Sequence, residues 1–563
     1  MMKLLQHFKE LTVRPKNAQE LKGLILQLAI QGKLTSKWRK ENPDIEPASE
    51  LFKQINAKKL PTKISADNIP YKIPESWNWY NLVDLGSING GFAFKSGNYI
   101  EEGVRVIRIS DFDENGFKNH KIVRHEYSDA LESYVLEDKN ILIAMTGGTV
   151  GKSLFVDKVP EVMVVNQRVA TIKIYKPIYE AYVNCVIPTK LIQDVIEEAK
   201  NSTNDNISMS NIKGFKIPLP PLEEQKEIVN VVAALFKEVE QLEQLTVERI
   251  TLKEDFVTSA LHQLTTNNAN QEWAFLQEHF KSFFDETSNI KKLRETVLQL
   301  AVQGKLTRSW RESHPELVSG SHHASEILKR IQKEKAQLIK DKKIKKEKAL
   351  PPITKEDIPY ELPEGWVWCR LNEILHSSFY GPRFGKEEYV ENGVPTIRTT
   401  DMDSKGYIKL KNPPTIKLTE EKLKLYKLEK GDLLVTRTGS IGTMAIFNEE
   451  YDAIPSAYLI RFRFLIVNIE YVFNLMHSPY GQKSLGLLTN TVAQPNINAT
   501  SIRDISFPLP PLEEQKAIVE KVNALMGLCD TLEQEVQQSQ EHSEMLMQSC
   551  LREVFEGKKE VCV

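Results

Sequence analysis

Wound at about 3.6 residues per turn, "NAQELKGLILQLAIQGKL" (17–34) brings Leu21, Leu24, Ile25 and Leu28 onto one face, with Gly32 as a stop signal. The same pattern predicts a second helix from about Ser288 to Gln303. Polar, proline-marked connectors follow, reaching Pro74 and Pro363. Trp77 and Trp79, then Trp366 and Trp368, alternate as a strand does on entering a core. Beyond them lie short β-rich runs between Gly, Asn and Asp clusters: "VRVIRIS", "ILIAM", "SLFV" and "VATIKIY", then "VPTIRTT", "DLLVTR", "MAIF" and "AYLIRFRF". A helix is expected over "TKLIQDVIEEAK" (189–200). After each "PLPP" the texture turns helical again. Pro221 and Pro511 suit a first turn, and Glu223-Glu224 and Glu513-Glu514 suit its positive end. Ile228, Val232, Leu235, Val239, Leu242 and Thr246 then step with heptad spacing, as do Ile518, Val522, Leu525, Cys529, Leu532 and Val536. The simplest packing for two such helices is against each other.

These elements occur in duplicate. "LKGLILQLAIQGKLTSKWRKENP" (21–43) returns as "LRETVLQLAVQGKLTRSWRESHP" (293–315), and "DNIPYKIPESWNWYNL" (67–82) as "EDIPYELPEGWVWCRL" (356–371). "GVRVIRISDFDENG" (103–116) returns as "GVPTIRTTDMDSKG" (393–406), and "IPLPPLEEQKEIV" (217–229) as "FPLPPLEEQKAIV" (507–519). Units of this size are too long for a solenoid and read as a tandem duplication with pseudo-two-fold character. The ends of each copy are nearly identical, whereas the middles, about 80–215 and 370–505, share scattered signposts only. A framework has been kept while two inserts drifted, as expected if the framework meets one kind of partner twice and the inserts read different things. The second copy also carries extra residues, mostly in "KRIQKEKAQLIKDKKIKKEK" (329–348), which reads either as a solvated helix or as a phosphate-contacting arm.

Composition narrows the classes. With 563 residues the chain is too long for one core, and roughly two to four domains are expected. A formal net charge of −2 means that any surface for nucleic acid is local. Cys185, Cys369, Cys529, Cys550 and Cys562 form no C-x-x-C pair and no metal spacing with His, which suits reduced thiols in a cytoplasm. The start lacks the apolar core of a signal peptide, and no run of about 18 apolar residues exists to span a membrane. "ILIAMTGGTVGKSLFV" (141–156) suggests a phosphate loop, and an NTP-dependent enzyme using Lys152 is one rival reading, a coiled-coil scaffold that reads no DNA being the other. Yet Thr146 stands where the first glycine is needed, and the matching "TRTGSIGTMAIF" has no lysine. "KNPPT" (411–415) resembles the Asn-Pro-Pro-aromatic motif of amino-methyltransferases with Thr415 in the aromatic place, and reads as a turn. His322-His323 reads as a solvated pair, and Asp111, Asp113, Asp401 and Asp403 as strand-end turn residues. No catalytic residue, metal site or cofactor is expected.

The duplicated "LQLAIQGKLT…W", variable domain, "PLPPLEEQ" and long helix resemble the specificity subunit of type I restriction-modification systems over essentially the whole chain. The resemblance implies an α/β protein: two strand-and-loop-rich target recognition domains separated by an antiparallel coiled coil of two long helices, in a pseudo-two-fold tandem duplication. It implies domains at 67–217 and 356–507, long helices at 218–265 and 508–563, and framework segments at 1–66 and 266–355. The implied partners are double-stranded DNA, two methyltransferase (modification) subunits and a restriction or motor subunit. The framework helices, through Leu24, Leu28, Leu298 and Leu300, are the expected docking surface for the modification subunits. A rod of about 60 Å would hold two half-sites roughly 12–17 base pairs apart. Base edges are best read by polar side chains on loops of the middles. The candidates are Lys95, Ser96, Asn98, Arg108, Lys152, Asn166, Gln167, Arg168, Asn206 and Ser208 in the first copy. In the second they are Tyr380, Arg383, Lys386, Arg398, Arg437, Thr438, Asn496 and Asn498. Gly90 and Gly91 would let the backbone approach DNA closely.

Overall fold

The apolar stripe around Leu21 forms the helix Pro15–Ile30, and Gly32 ends it in the left-handed region at φ 68°. A Cβ at Gly32 would press on the Pro74 ring, so this turn needs glycine on both counts. The second copy repeats the device: Thr287–Val302 is helical, and Gly304, at φ 67°, faces Pro363. The computed structural model describes residues 15–55, 61–62, 64, 68–203, 205–266, 270–317, 319–344, 346, 350–403, 405–437, 442–486 and 498–556. It falls into two units, Met1–Ile250 with His542–Val563, and Thr251–Glu541.

A further framework helix is short in the first unit, Ala48–Ile55, and long in the second, Ala324–Lys340. Most of the described part of the lysine-rich insert is therefore an extension of this element. Ile327 and Ile331 are buried in the second core, Leu328 and Leu338 pack at its margin, and Lys329, Arg330 and Lys333 face solvent.

Each middle is a domain entered and left through one two-stranded ribbon. Asn78–Asn81 pairs antiparallel with Lys216–Leu219, and Val367–Arg370 with Ser506–Leu509. In the first domain Gly86–Gly90, Val169–Ile174, Ile141–Ala144 and Ser153–Phe155 form an antiparallel four-stranded sheet in that order. In the second, Leu375–Tyr380, Leu459–Phe464, Asp432–Thr436 and Met444–Phe447 do the same. Ile141–Ala144 and Asp432–Thr436 are buried at every position, which is why they read as continuous apolar runs rather than as alternation. A smaller sheet stands beside each, Arg124–His125, Val104–Ile107 and Met163–Val165, matched by Thr415–Ile416, Tyr389–Ile397 and Ile454–Pro455. Each contains one parallel pair. The β-rich runs fall on strands of these sheets, whereas Gly86–Gly90, Met163–Val165, Leu375–Tyr380 and Ile454–Pro455 lie outside those runs, and both domains share one topology despite their drift. The helix Glu180–Val186 packs on the first framework helix, and Ile469–His477 on the second.

Two helices of 45 residues each, Leu222–Thr266 and Leu512–Glu556, follow the ribbons. The first begins in the first unit and ends in the second, and the other runs in the opposite sense. Their apolar stripes meet more than one partner. Ile228, Val232 and Val239 are buried in the core of the first unit, with Leu235 and Leu242 at its edge. Ile518, Val522 and Leu525 likewise pack into the core of the second domain. Further along, Cys529, Leu532 and Val536 cluster with the other long helix, at Val257, Ala260 and Leu261, and Ile290 and Leu293 of the framework helix join them. Heptad spacing records an apolar stripe and leaves open what covers it. Of the expected docking leucines, those of the first copy are corrected, because this chain itself covers them. Leu24 and Leu28 are each 2% exposed within this chain, Leu298 packs on the second core, and Leu300 is half-buried.

Candidate nucleic-acid interface

A buried polar cluster fixes each recognition domain on its helix. Glu224 is fully buried, accepting from Thr35 Oγ1 (2.7 Å), from Trp77 Nε1 (2.8 Å) and from the Arg39 guanidinium. Glu514 does the same with Thr307 Oγ1 (2.7 Å), Trp366 Nε1 (2.7 Å) and Arg311. Gln225 and Gln515 are buried beside them, donating to Pro220 O and Pro510 O and accepting from Tyr179 N and Asn468 N. The three nearly identical blocks of each copy, "GKLT…WR", "P-x-x-W" and "PLPPLEEQ", therefore meet at one point. The helix-dipole expectation holds for exposed Glu223, whereas Glu224 turns inward. The recurrence of Trp, Arg and Glu in both copies was the signal that these residues pair.

From this anchor the domain projects its loops. In the first domain backbone bonds join them: Phe92 N to Val165 O (2.8 Å), Gln167 N to Phe92 O (2.8 Å) and Met145 N to Arg168 O (2.9 Å). Ile207 N to Met145 O (2.9 Å) and Gly147 N to Asp205 O (2.9 Å) add the last loop. Lys95, Ser96, Asn98, Lys152, Asn166, Gln167, Arg168, Asn206 and Ser208 thus stand on adjoining loops, and all are exposed except half-buried Asn166. Some have local duties as well. Asn166 Oδ1 accepts from Arg168 N (3.2 Å), and Ser208 Oγ accepts from Asn211 N (3.1 Å) to cap the helix Met209–Lys213. Arg108 is clamped on buried Asp111, through Nε and Nη2 at 2.8 Å each, and this pairing raises its pKa. Asp111 also accepts from Arg108 N, so the pair closes a turn. The glycine expectation is corrected at Gly91, while Gly90 faces open space. A Cβ on Gly91 would lie 2.2 Å from Val165 O, so glycine is needed for strand approach inside the domain. Gly381 meets Ser456 O in the same way.

The second domain repeats the scaffold with other side chains. Arg398 is clamped on Asp401 (3.0 and 2.8 Å) as Arg108 is on Asp111. Burial pushes the Asp401 carboxyl up, but the Arg398 fork and backbone donors outweigh it and hold the group below the usual carboxylate range. Tyr380, Arg383 and Lys386 are exposed, and Asn498 caps the helix Ala499–Arg503 through Ser501 N (2.9 Å). The Arg437 guanidinium lies over the Tyr380 ring at 4.8 Å. Thr438 and Asn496 lie outside the described residues. One residue was missed: Tyr458 is 57% exposed, and its carbonyl accepts from Arg437 N (3.0 Å), as Arg168 O does from Met145 N. Tyr458 is therefore the counterpart of Arg168, a match that aligning the two copies through "VATIKIY" and "AYLIRFRF" makes visible.

The rival chemistries lose their geometry here. "TGGTVGK" joins Ile141–Ala144 to its antiparallel neighbour Ser153–Phe155, so a strand follows where a phosphate loop opens a helix. Asn412 in "KNPPT" has φ 47°, and Lys411 O accepts from Arg398, so the stretch is a turn. His323 caps the helix Ala324–Lys340 by accepting from Ser325 N. Among the described residues no helix is long and apolar enough to cross a membrane.

Two domains of one topology, each presenting a polar loop rim and each anchored to a duplicated helical framework, define a paired-reader architecture. The family model for the type I restriction modification DNA specificity domain matches residues 74–252 and 363–541, and the chain belongs to this family. The EcoEI specificity subunit of Escherichia coli, a type I restriction enzyme component, is 27% identical over 568 residues, covering 93% of this chain and 91% of that one. The EcoAI specificity subunit of Escherichia coli is 27% identical over 565 residues, covering 91% and 90%. A chain solved in work on complex assembly and conformational transition of the type I R-M system aligns with TM-score 0.52 at 17% identity. It covers 87% of this chain and 100% of that one, a likeness of fold.

Proposed function

We propose that this chain is the DNA sequence-specificity subunit of a type I restriction-modification complex. The observation that carries this reading is repetition with divergence: two domains of one topology, anchored by identical clusters at Glu224 and Glu514, present different rims. Each domain reads one half of a bipartite target, and the framework assembles two modification subunits and, in the full complex, a restriction or motor subunit. The chain supplies no chemistry of its own. The modification subunits carry the methyl donor and flip the target adenine. The complex acts in the cytoplasm, where the thiols stay reduced.

Loop residues with exposed polar groups, among them Lys95, Lys152, Gln167, Arg168, Arg383 and Lys386, are the proposed DNA contacts. Arg108 and Arg398 shape the rim through their aspartates. The test replaces 80–215 with the corresponding segment of another family member and reads the methylated motif across a genome. One half of the motif should change and the other stay. A change in both halves, or in neither, overturns the two-reader model.

A further inference from the structure

Resting on the proposed function, we infer that Arg437 reads a guanine in the half-site of the second domain, and that the first domain has no equivalent reader. Arg437 follows the strand Asp432–Thr436, and its N–H is bonded to Tyr458 O (3.0 Å). Its guanidinium stacks on Tyr380 at 4.8 Å. Tyr380 is itself held twice, by strand pairing with Ile460 and by its hydroxyl, which accepts from Ala499 N (3.1 Å).

Three other arginines of this domain are neutralised internally. Arg398 is paired with Asp401, and Arg461 and Arg463 are paired with Asp432. No described carboxylate ion-pairs with Arg437, and its buried Nε has no partner. A planar fork held against an aromatic ring, with no internal anion, loses little freedom on binding. Its chemistry matches guanine O6 and N7 in the major groove. Exposed Tyr458, 57% accessible, flanks it as a further aromatic surface. In the first domain Gly90 stands where Tyr380 does, at the end of the strand Gly86–Gly90, and Met145 and Arg168 replace Arg437 and Tyr458. A stacked arginine cannot be built there.

The test uses the full chain with its modification subunit. The methylated motif comes from genome-wide methylation in cells. Binding is then measured on duplexes carrying that motif, with each base pair of the half-site replaced in turn. Arg437→Lys, which keeps the charge and loses the fork, should relax one G·C position of one half-site, with roughly tenfold to hundredfold loss on the cognate duplex. Arg437→Gln should move that position toward A·T, since glutamine pairs with adenine N6 and N7. Tyr380→Phe keeps the ring and loses only the hydroxyl contact, so it should weaken the same position by a smaller factor. Unchanged discrimination at every position in both Arg437 variants overturns the inference. So does a uniform loss across all duplexes with a shallower salt dependence, which marks a phosphate contact. If the unaltered complex itself binds every duplex equally, the proposed function falls, a result distinct from both.

Discussion

The two recognition domains build matching four-stranded and three-stranded sheets in the same strand order, yet one face of their four-stranded sheets is built in opposite ways. In the second domain buried Asp432 takes two bonds from Arg463, both 2.7 Å, and lies 3.7 Å from Arg461. Arg461 in turn covers Phe379 at 4.2 Å, and burial pushes its pKa down to about 10. In the first domain Thr171 and Lys173 hold the same strand positions opposite Asn89 and Ser87. Asn140 there makes the turn bond that Asp432 makes in the second, Glu137 N to Oδ1 (3.1 Å) against Glu429 N to Oδ2 (2.8 Å). A polar cleft of about 60 Å3 lined by these residues remains. One scaffold thus tolerates an ion-filled face and a polar, partly open one, because the anchor to the framework is built elsewhere. That separation lets the rims diverge without loss of the fold.

The comparison breaks first at the anchor. Glu224→Ala and Glu514→Ala each remove the buried acceptor of a half-buried arginine, a tryptophan N–H and a threonine hydroxyl. Each should cost about 3–5 kcal/mol, measured by urea unfolding of the whole chain. Very unequal costs would show that the two anchors are not equivalent. Asp432→Asn should come next. Asparagine keeps the turn bond and removes the buried one of the two countercharges of Arg463, Glu429 being the other, for a loss of about 1.5–3 kcal/mol. Asn140→Ala removes only a turn bond and should cost less.

Acid should then weaken both domains. Asp401 is depressed in the second domain by Arg398 against its own burial, and Asp113 in the first, chiefly by Lys118. A depressed carboxylate contributes stability fully present above its unfolded pKa, about 4, and lost as pH falls through the folded value. Thermal melting should therefore shift downward below about pH 4, and Asp401→Asn should blunt that shift. The smallest effect is expected at Lys405, which bonds Asp530 (3.0 Å) on the long helix, where Arg294 also binds (2.6 Å). Lys22–Glu240 (2.8 Å) is the matching framework pair of the first unit. Both ends of the Lys405 bridge are exposed, so Lys405→Ala should cost below about 1 kcal/mol. A larger loss in melting temperature would show that this domain depends on its tether.

Much of this was legible in the one-dimensional pattern. The duplication, the order of strands and helices, and the glycine stops at 32 and 304 follow from local rules. Spacing, propensity and turn chemistry act over a few residues and survive without knowledge of neighbours. The tertiary structure alone decided what each face meets. It packed Ile228 to Leu242 onto the core of the first unit, and buried Leu24 and Leu28 within the chain. It turned Glu224 inward to Trp77 and Arg39, and tied Arg108 and Arg398 to their aspartates while leaving Arg437 on Tyr380. Each outcome sets residues that are far apart in the chain against one another. Burial and pairing energies depend on which groups arrive together, and a run of sequence does not carry that information.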